Sequence, residues 1–169
     1  MSTERTELDQ LDVLLIRSLA EHPRAGYLEL SRLTGVSRAT VQARIGRLET
    51  AGVITGYGPD VDLDAAGYPV LAFVSLEIAQ GGLDEIAAEL TRVPEVLEAY
   101  GTTGTSDVFC RVVAASHDAL QQILLRINRI HAVVRSTSVV ALSTVVENRY
   151  LPVLESEQRR RPSRVPGLR

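Results

Sequence analysis

The chain has 169 residues, 45% of them hydrophobic, and a net charge of −3. That length accommodates one ordinary domain or two small ones, and that apolar share excludes a disordered chain. A single cysteine, Cys110, excludes an internal disulfide and a cysteine-rich metal site, and no apolar run reaches the roughly 18 residues of a membrane span.

The opening "MSTERTELDQ" is polar and acidic, unlike a secretory signal, so a cytoplasmic protein without a membrane segment is expected. All 18 basic residues are arginine, and they are unevenly spread. Residues 1–60 hold seven arginines against eight acids, residues 61–150 six against eleven, and residues 151–169 five against two. From Arg32 to Leu48, however, there are four arginines and no acid. The whole-chain charge therefore hides a local cationic stripe.

Leu11, Leu14, Leu15 and Leu19 recur at helical spacing, with Asp9 as N-cap and Asp12 at the third position. A second helix is expected over about Tyr27–Leu33, burying Leu30 and Leu33. Gly35 then falls where a helix commonly ends in a left-handed residue. Ser37 follows as N-cap of a third helix that runs to about Thr50 and is ended by Gly52. Helix, tight glycine turn, helix is the helix-turn-helix pattern.

On the third helix Val41, Ile45 and Leu48 form the inward stripe. The opposite face carries Ala39, Ala43 and Gly46, flanked by Arg38, Thr40, Gln42 and Arg47. Small residues let a backbone approach a partner closely, while long polar side chains reach sideways to phosphates, guanine or adenine. Ser37, Arg38, Thr40, Gln42, Arg44 and Arg47 are the candidate DNA contacts, with Arg38 and Arg47 projecting from the exposed face. Arg44, nearest the buried stripe, either reaches phosphate from the groove's edge or pairs with an acid. The plain alternative for the stripe is a solvated helix face. "VITGYGP" reads as a short extended wing, leading through "DVDLDAAGY" into the second half.

That second half contains a repeat at an offset of 37 residues. Leu83, Ile86, Ala87, Leu90, Val93 and Val96 fall on Leu120, Ile123, Leu124, Ile127, Ile130 and Val133. Each copy reads as strand, amphipathic helix, strand. The strands are expected at about Tyr68–Ile78, Val96–Thr103, Asp107–Ala114 and Val133–Val146, a β-α-β-β-α-β ferredoxin-like order. Two helices cover one face of such a sheet. Strands such as "VLAFVSL" are apolar on both parities, so the other face wants a partner, and a homodimer or larger assembly is expected.

"LDQLDVLLIRSL", "ELSRLTGVSRATVQARIGRLETAGVITGY", "DAAGY" and "TTGTSDVF", in that order and spacing, resemble the leucine-responsive and asparagine-regulator (Lrp/AsnC) family over about residues 8–150. The resemblance implies an α+β protein. A winged helix-turn-helix with linker (residues 1–60) would bind double-stranded DNA, and a βαββαβ domain (residues 61–150) would bind an effector and oligomerise. It further implies dimers assembling into octamers or larger, an amino acid or related small molecule as effector, and no other cofactor. The chain departs from the family pattern at "IHAVV", where Pro-Gly is usual, and at "ALSTVV", which lacks the usual late charges.

The loop "YGTTGTSDV" supplies the candidate effector contacts Tyr100, Thr102, Thr103, Gly104, Thr105, Ser106 and Asp107, with Ser136, Thr137 and Ser138 lining the same space. Glycines aim N–H groups at a carboxylate, hydroxyls give or accept, and Asp107 offers the charge that an ammonium needs. The resemblance places the effector by a Gly-x-x-Asp loop at subunit interfaces, which maps to Gly104 and Asp107. A polar hairpin whose aspartate merely bonds local backbone fits the same residues.

His22, His117 and His131 are scattered, no histidine or acid set has metal-ligand spacing, and no catalytic set is visible. The basic tail, residues 151–169, reads as disordered, with a DNA- or partner-contacting arm as the alternative. Beside an effector-responsive transcription regulator stand an architectural DNA-organising protein whose second domain only oligomerises, and an ACT-like regulatory subunit of an amino-acid enzyme. The cationic stripe speaks against the last.

Overall fold

The computed structural model describes residues 6–158. These divide into two compact units, residues 6–60 together with 147–158, and residues 61–146.

The first unit is built from α1 (Gln10–Glu21), α2 (Tyr27–Thr34), α3 (Arg38–Thr50) and, from the far end of the chain, α6 (Leu151–Gln158). Asp9 and Asp12 form a reciprocal capping box at the start of α1, each carboxylate accepting the other's backbone N–H at 3.0 and 2.9 Å. Gly35 ends α2 at φ 72°, a conformation that costs a Cβ-bearing residue about 1 kcal/mol. Ser37 caps α3, accepting the Thr40 N–H at 3.1 Å. Leu11, Leu15, Leu30, Val41 and Ile45 form the core, closed by Leu19, Ala25, Val36 and Ile54.

Two expectations change in this unit. Leu33 is 46% exposed, and α2 instead buries Leu30 and Thr34, whose hydroxyl donates to the Leu30 carbonyl at 2.7 Å. Positions four apart lie closer around a helix than positions three apart, so the Leu30–Thr34 edge turns inward and carries Leu33 out. The wing is also absent as a strand, since residues 53–69 hold neither helix nor strand. A wing needs two paired strands. Here Gly52 and Val53 close a Schellman end on α3, donating to the Glu49 and Leu48 carbonyls at 3.0 and 2.9 Å, and Ile54 folds onto the helical core.

The second unit runs β1 (Val70–Ile78), α4 (Leu83–Thr91), β2 (Val96–Gly101), β3 (Val108–Ala114), α5 (His117–Asn128) and β4 (Val133–Val140). The sheet order is β2-β3-β1-β4, with every neighbouring pair antiparallel. Val70, Ala72, Val74 and Leu76 of β1 and Val108, Cys110 and Val112 of β3 meet Ile86 and Leu90 of α4 and Leu120, Ile123 and Ile127 of α5. The two repeats match in role except at two pairs: Ala87 is exposed where Leu124 packs on the core, and the first pair differs as well. Leu83 is 53% exposed and Leu120 is buried, because α4 starts at Leu83 whereas α5 starts a turn earlier, at His117.

The opposite sheet face presents Leu71, Phe73, Phe109, Val113 and Val139, with the Phe73 and Phe109 rings stacked at 5.6 Å. β4 stops at Val140, six residues short of expectation. Its partner β1 begins at Val70, and the last bond between the two runs from the Ala141 N–H to the Leu71 carbonyl at 2.8 Å, so beyond residue 142 there is no β1 backbone for residues 143–146 to pair with. Part of the tail expected to be disordered is helical. Residues 151–158 form α6 against α1, because the apolar Leu151 and Leu154 find a surface to cover. Residues 159–169 lie outside the described residues.

Candidate functional site

On α3 the inward stripe is Val41, Ile45 and Leu48, each at most 1% exposed. Arg38, Ala39, Gln42 and Ala43 are exposed, and Thr40 is half-buried with its hydroxyl 2.9 Å from that of Ser37. Ser37 and Thr40 are thus spent partly on the helix start. Arg38 and Gln42, one turn apart, stand exposed along one edge of the outward face, whose middle carries the small side chains of Ala39 and Ala43.

Arg44 and Arg47 turn the other way. Arg44 Nη1 lies 2.5 Å from Asp9 Oδ2 and 3.2 Å from Asp12 Oδ1, and Arg47 Nη2 reaches Asp12 Oδ2. The Asp12 side chain has no solvent exposure and also accepts the Asp9 N–H. A buried carboxylate is tolerated only with such partners. Arg44 therefore takes the acid-pairing alternative. Arg47 lies on the exposed surface, its side chain 42% accessible, with its guanidinium paired to the buried Asp12 carboxylate. Sequence reasoning saw Asp12 only as a capping residue. The signal available was an acid flanked by Leu11 and Val13 in an otherwise apolar stretch, opposite an arginine-rich helix.

Burial alone would push the Asp9 carboxyl up. The Asp12 backbone N–H and the Arg44 guanidinium outweigh that and hold it below its ordinary value. The bond to Asp9, ahead of burial, holds Arg44 above its ordinary value.

In the second unit the candidate loop closes the β2–β3 hairpin. Thr102 N–H donates to the Asp107 carbonyl at 2.8 Å, and Thr102 Oγ1 to the Ser106 carbonyl at 2.7 Å. Gly104 takes φ 125°, a conformation that side chains disfavour. Asp107 N–H donates to the Leu76 carbonyl at 2.9 Å, and Asp107 Oδ2 accepts the Ile78 N–H at 2.8 Å. One carboxylate oxygen thus pins the loop to β1, and Oδ1 takes no partner among the described residues. Tyr100, Thr102, Thr103, Gly104, Thr105 and Asp107 are exposed, and Ser106 is half-buried.

Ser136 pairs with Leu76, which pairs in turn with Val108, so Ser136 sits level with the loop two strands away, about 10 Å across the sheet. Strand alternation separates the three hydroxyls. Ser136 and Ser138 share the parity of Leu76 and Val74, toward the helices, while Thr137 shares that of Ser75, on the other face. They do not line one space. Cys110 is fully buried, and burial pushes its thiol up to about 11, so it stays a protonated core residue. Among the described residues no group of three or more His, Cys, Asp or Glu could hold a metal ion.

Residues 8–49 match the AsnC-type helix-turn-helix domain, and residues 71–151 match the Lrp/AsnC ligand binding domain. The chain is 32% identical over 149 residues to the HTH-type transcriptional regulator FL11 of Pyrococcus horikoshii, covering 88% of this chain and 99% of that one. It is 37% identical over 128 residues to the regulatory protein AsnC of Escherichia coli, covering 75% and 82%. The structure of Escherichia coli AsnC superposes with a TM-score of 0.81 at 31% identity, over 87% of this chain and 100% of that chain. A feast or famine regulatory protein from Mycobacterium tuberculosis, complexed with L-methionine, superposes with a TM-score of 0.77 at 34% identity, over 85% and 98%.

Replacing Asp12 by Ala leaves Arg44 and Arg47 without their shared acceptor. Both arginines reach water, so the expected loss of stability is about 3 kcal/mol, the low end of the range for breaking a buried pair, read by urea unfolding. Because the Asp9 carboxyl is held low in the folded state, its contribution is complete above the unfolded value of about 4 and disappears as pH falls through the folded value. Acid unfolding monitored by circular dichroism is therefore expected to be less steep in Asp9→Asn than in the wild type.

Proposed function

This chain belongs to the Lrp/AsnC family of transcriptional regulators, and from that premise we propose that it controls transcription by binding an operator through α3 while its second unit senses an amino acid. The observation that carries this reading is the free face of α3. With Arg44 and Arg47 paired with acids, Arg38 and Gln42 remain unpaired among the described residues, along the edge of a smooth face of two alanines, a shape suited to a major groove. We assign Arg38 to phosphate or guanine and Gln42 to adenine, with Ser37 and Thr40 at the helix N-terminus, where backbone N–H groups favour a phosphate.

The hairpin loop and Asp107 form the proposed effector site. The unpaired Oδ1 suits an ammonium group, and the hydroxyls of Thr103, Thr105 and Ser106 suit a carboxylate. That a relative of known structure is complexed with L-methionine supports an amino acid as the ligand class. Self-association through the outer sheet face, to a homodimer and then a larger ring or polymer, is supported by the apolar Phe73–Phe109 stack and its neighbours. No helix among the described residues is long and apolar enough to cross a membrane. We place the protein in the cytoplasm, as a regulator and not an enzyme.

Arg38→Ala is expected to weaken operator binding in a gel shift and to lower the salt slope by about one unit if the contact is a phosphate, with unfolding midpoints unchanged. Unimpaired binding would remove α3 from the interface. In a thermal-shift screen at least one of the common amino acids is expected to raise the melting temperature. Asp107→Asn, which keeps an acceptor for the Ile78 N–H but loses the charge, should weaken that ligand by about tenfold or more. Residues 61–146 alone should sediment as a dimer or larger species at micromolar concentration, and Phe109→Asp should shift them to monomer.

A further inference from the structure

The matched family residues end at 151, and α6 begins there, so the helix lies beyond what the family accounts for. It is one-sided. Leu151, Leu154 and Glu155 are half-buried, whereas Val153, Ser156 and Glu157 are exposed. Pro152 sits in the first turn, where a missing N–H is harmless.

α6 packs on α1. There Arg17 donates Nε and Nη2 to Glu155 Oε1 at 3.1 and 2.5 Å. α1 is buried on two sides. Leu11 and Leu15 face the three-helix core, while Val13 and Ile16, 6% and 7% exposed, stand outside that cluster, around the helix toward Arg17. An isolated helix of eight residues is not stable in water, so α6 is helical because it is docked, and its docking is a reversible folding event. On its α3 side, α1 holds Arg44 and Arg47 through Asp12. α1 therefore stands between α6 and the helix assigned to DNA.

We infer that α6 is a releasable clasp. Docked on α1, it completes the DNA-binding unit and holds α3 in its binding geometry; released, it loosens α1 and lowers DNA affinity. Because α6 follows β4 by only the ten residues 141–150, the clasp gives the strand that ends the ligand-binding unit a handle on the DNA-binding unit, apart from the linker after α3. The affinity half of this inference rests on the DNA-binding reading; the docking half does not.

The test uses the full chain with Leu154→Asp, Glu155→Arg, and the swap Arg17→Glu with Glu155→Arg. Amide hydrogen exchange is measured over residues 10–21 and 151–158, and DNA affinity is measured on sequences selected by the wild type. Leu154→Asp is expected to speed exchange in α1 by about tenfold and to weaken DNA binding severalfold, with residues 61–146 unaffected. Glu155→Arg should give about a threefold effect, which the swap reverses. Exchange in α1 that is unchanged by Leu154→Asp, or accelerated exchange with unchanged DNA affinity, overturns the clasp. If the wild type selects no DNA, the DNA-binding reading fails, and the exchange data still decide whether α6 braces α1.

Discussion

A carboxylate with no access to water can exist only where other charges meet it, and Asp12 is such a group. It sits in the first turn of α1, takes the Asp9 N–H as part of a capping box, and receives Arg44 and Arg47 from α3. One side chain thus sets where α1 begins and how α3 lies against it. Apolar contacts among Leu11, Leu15, Val41 and Ile45 are non-directional and would tolerate small rotations of α3. The ion pairs are directional, and they orient the helix. With one edge of α3 held in this way, the opposite edge, with Arg38 and Gln42, is left exposed.

The second unit is organised by a different constraint, the two-residue period of its strands. Every inward position of β1 from Val70 to Leu76 is buried under α4 and α5, and the intervening positions form a second apolar face around Phe73 and Phe109. The same alternation decides what the loop region can present. It sets Ser136 and Ser138 apart from Thr137, and it leaves the hairpin loop, with Asp107 anchored to β1 through Ile78, as the one candidate ligand segment whose polar groups gather at one place.

Much of this was legible because it depends on neighbours in sequence. The caps at Asp9 and Ser37, the left-handed Gly35, the Val41–Ile45–Leu48 stripe and the 37-residue repeat are all local patterns, and helices and strands follow from them. Where a boundary depended on a distant partner the reading overshot. β4 is expected to reach Val146, but a strand lasts only as long as the strand beside it, and β1 begins at Val70. The wing failed for the same reason, since one extended segment does not make a ribbon.

The cationic stripe shows the division most clearly. By itself the sequence determined that four arginines without an acid lie along one helix-turn-helix, and that the fold is a helical unit followed by a βαββαβ unit. It could not say which arginines were available. Asp12 is 32 residues from Arg44, and Glu155 is 138 residues from Arg17. Only the tertiary structure brought those charges together, pairing Arg44 and Arg47 with Asp12 and making residues 151–158, the first part of a tail expected to be disordered, a helix. Helix and strand periods act over a few residues and can be read along the chain. Burial and ion pairing depend on which surfaces meet, and that is decided when the chain closes on itself.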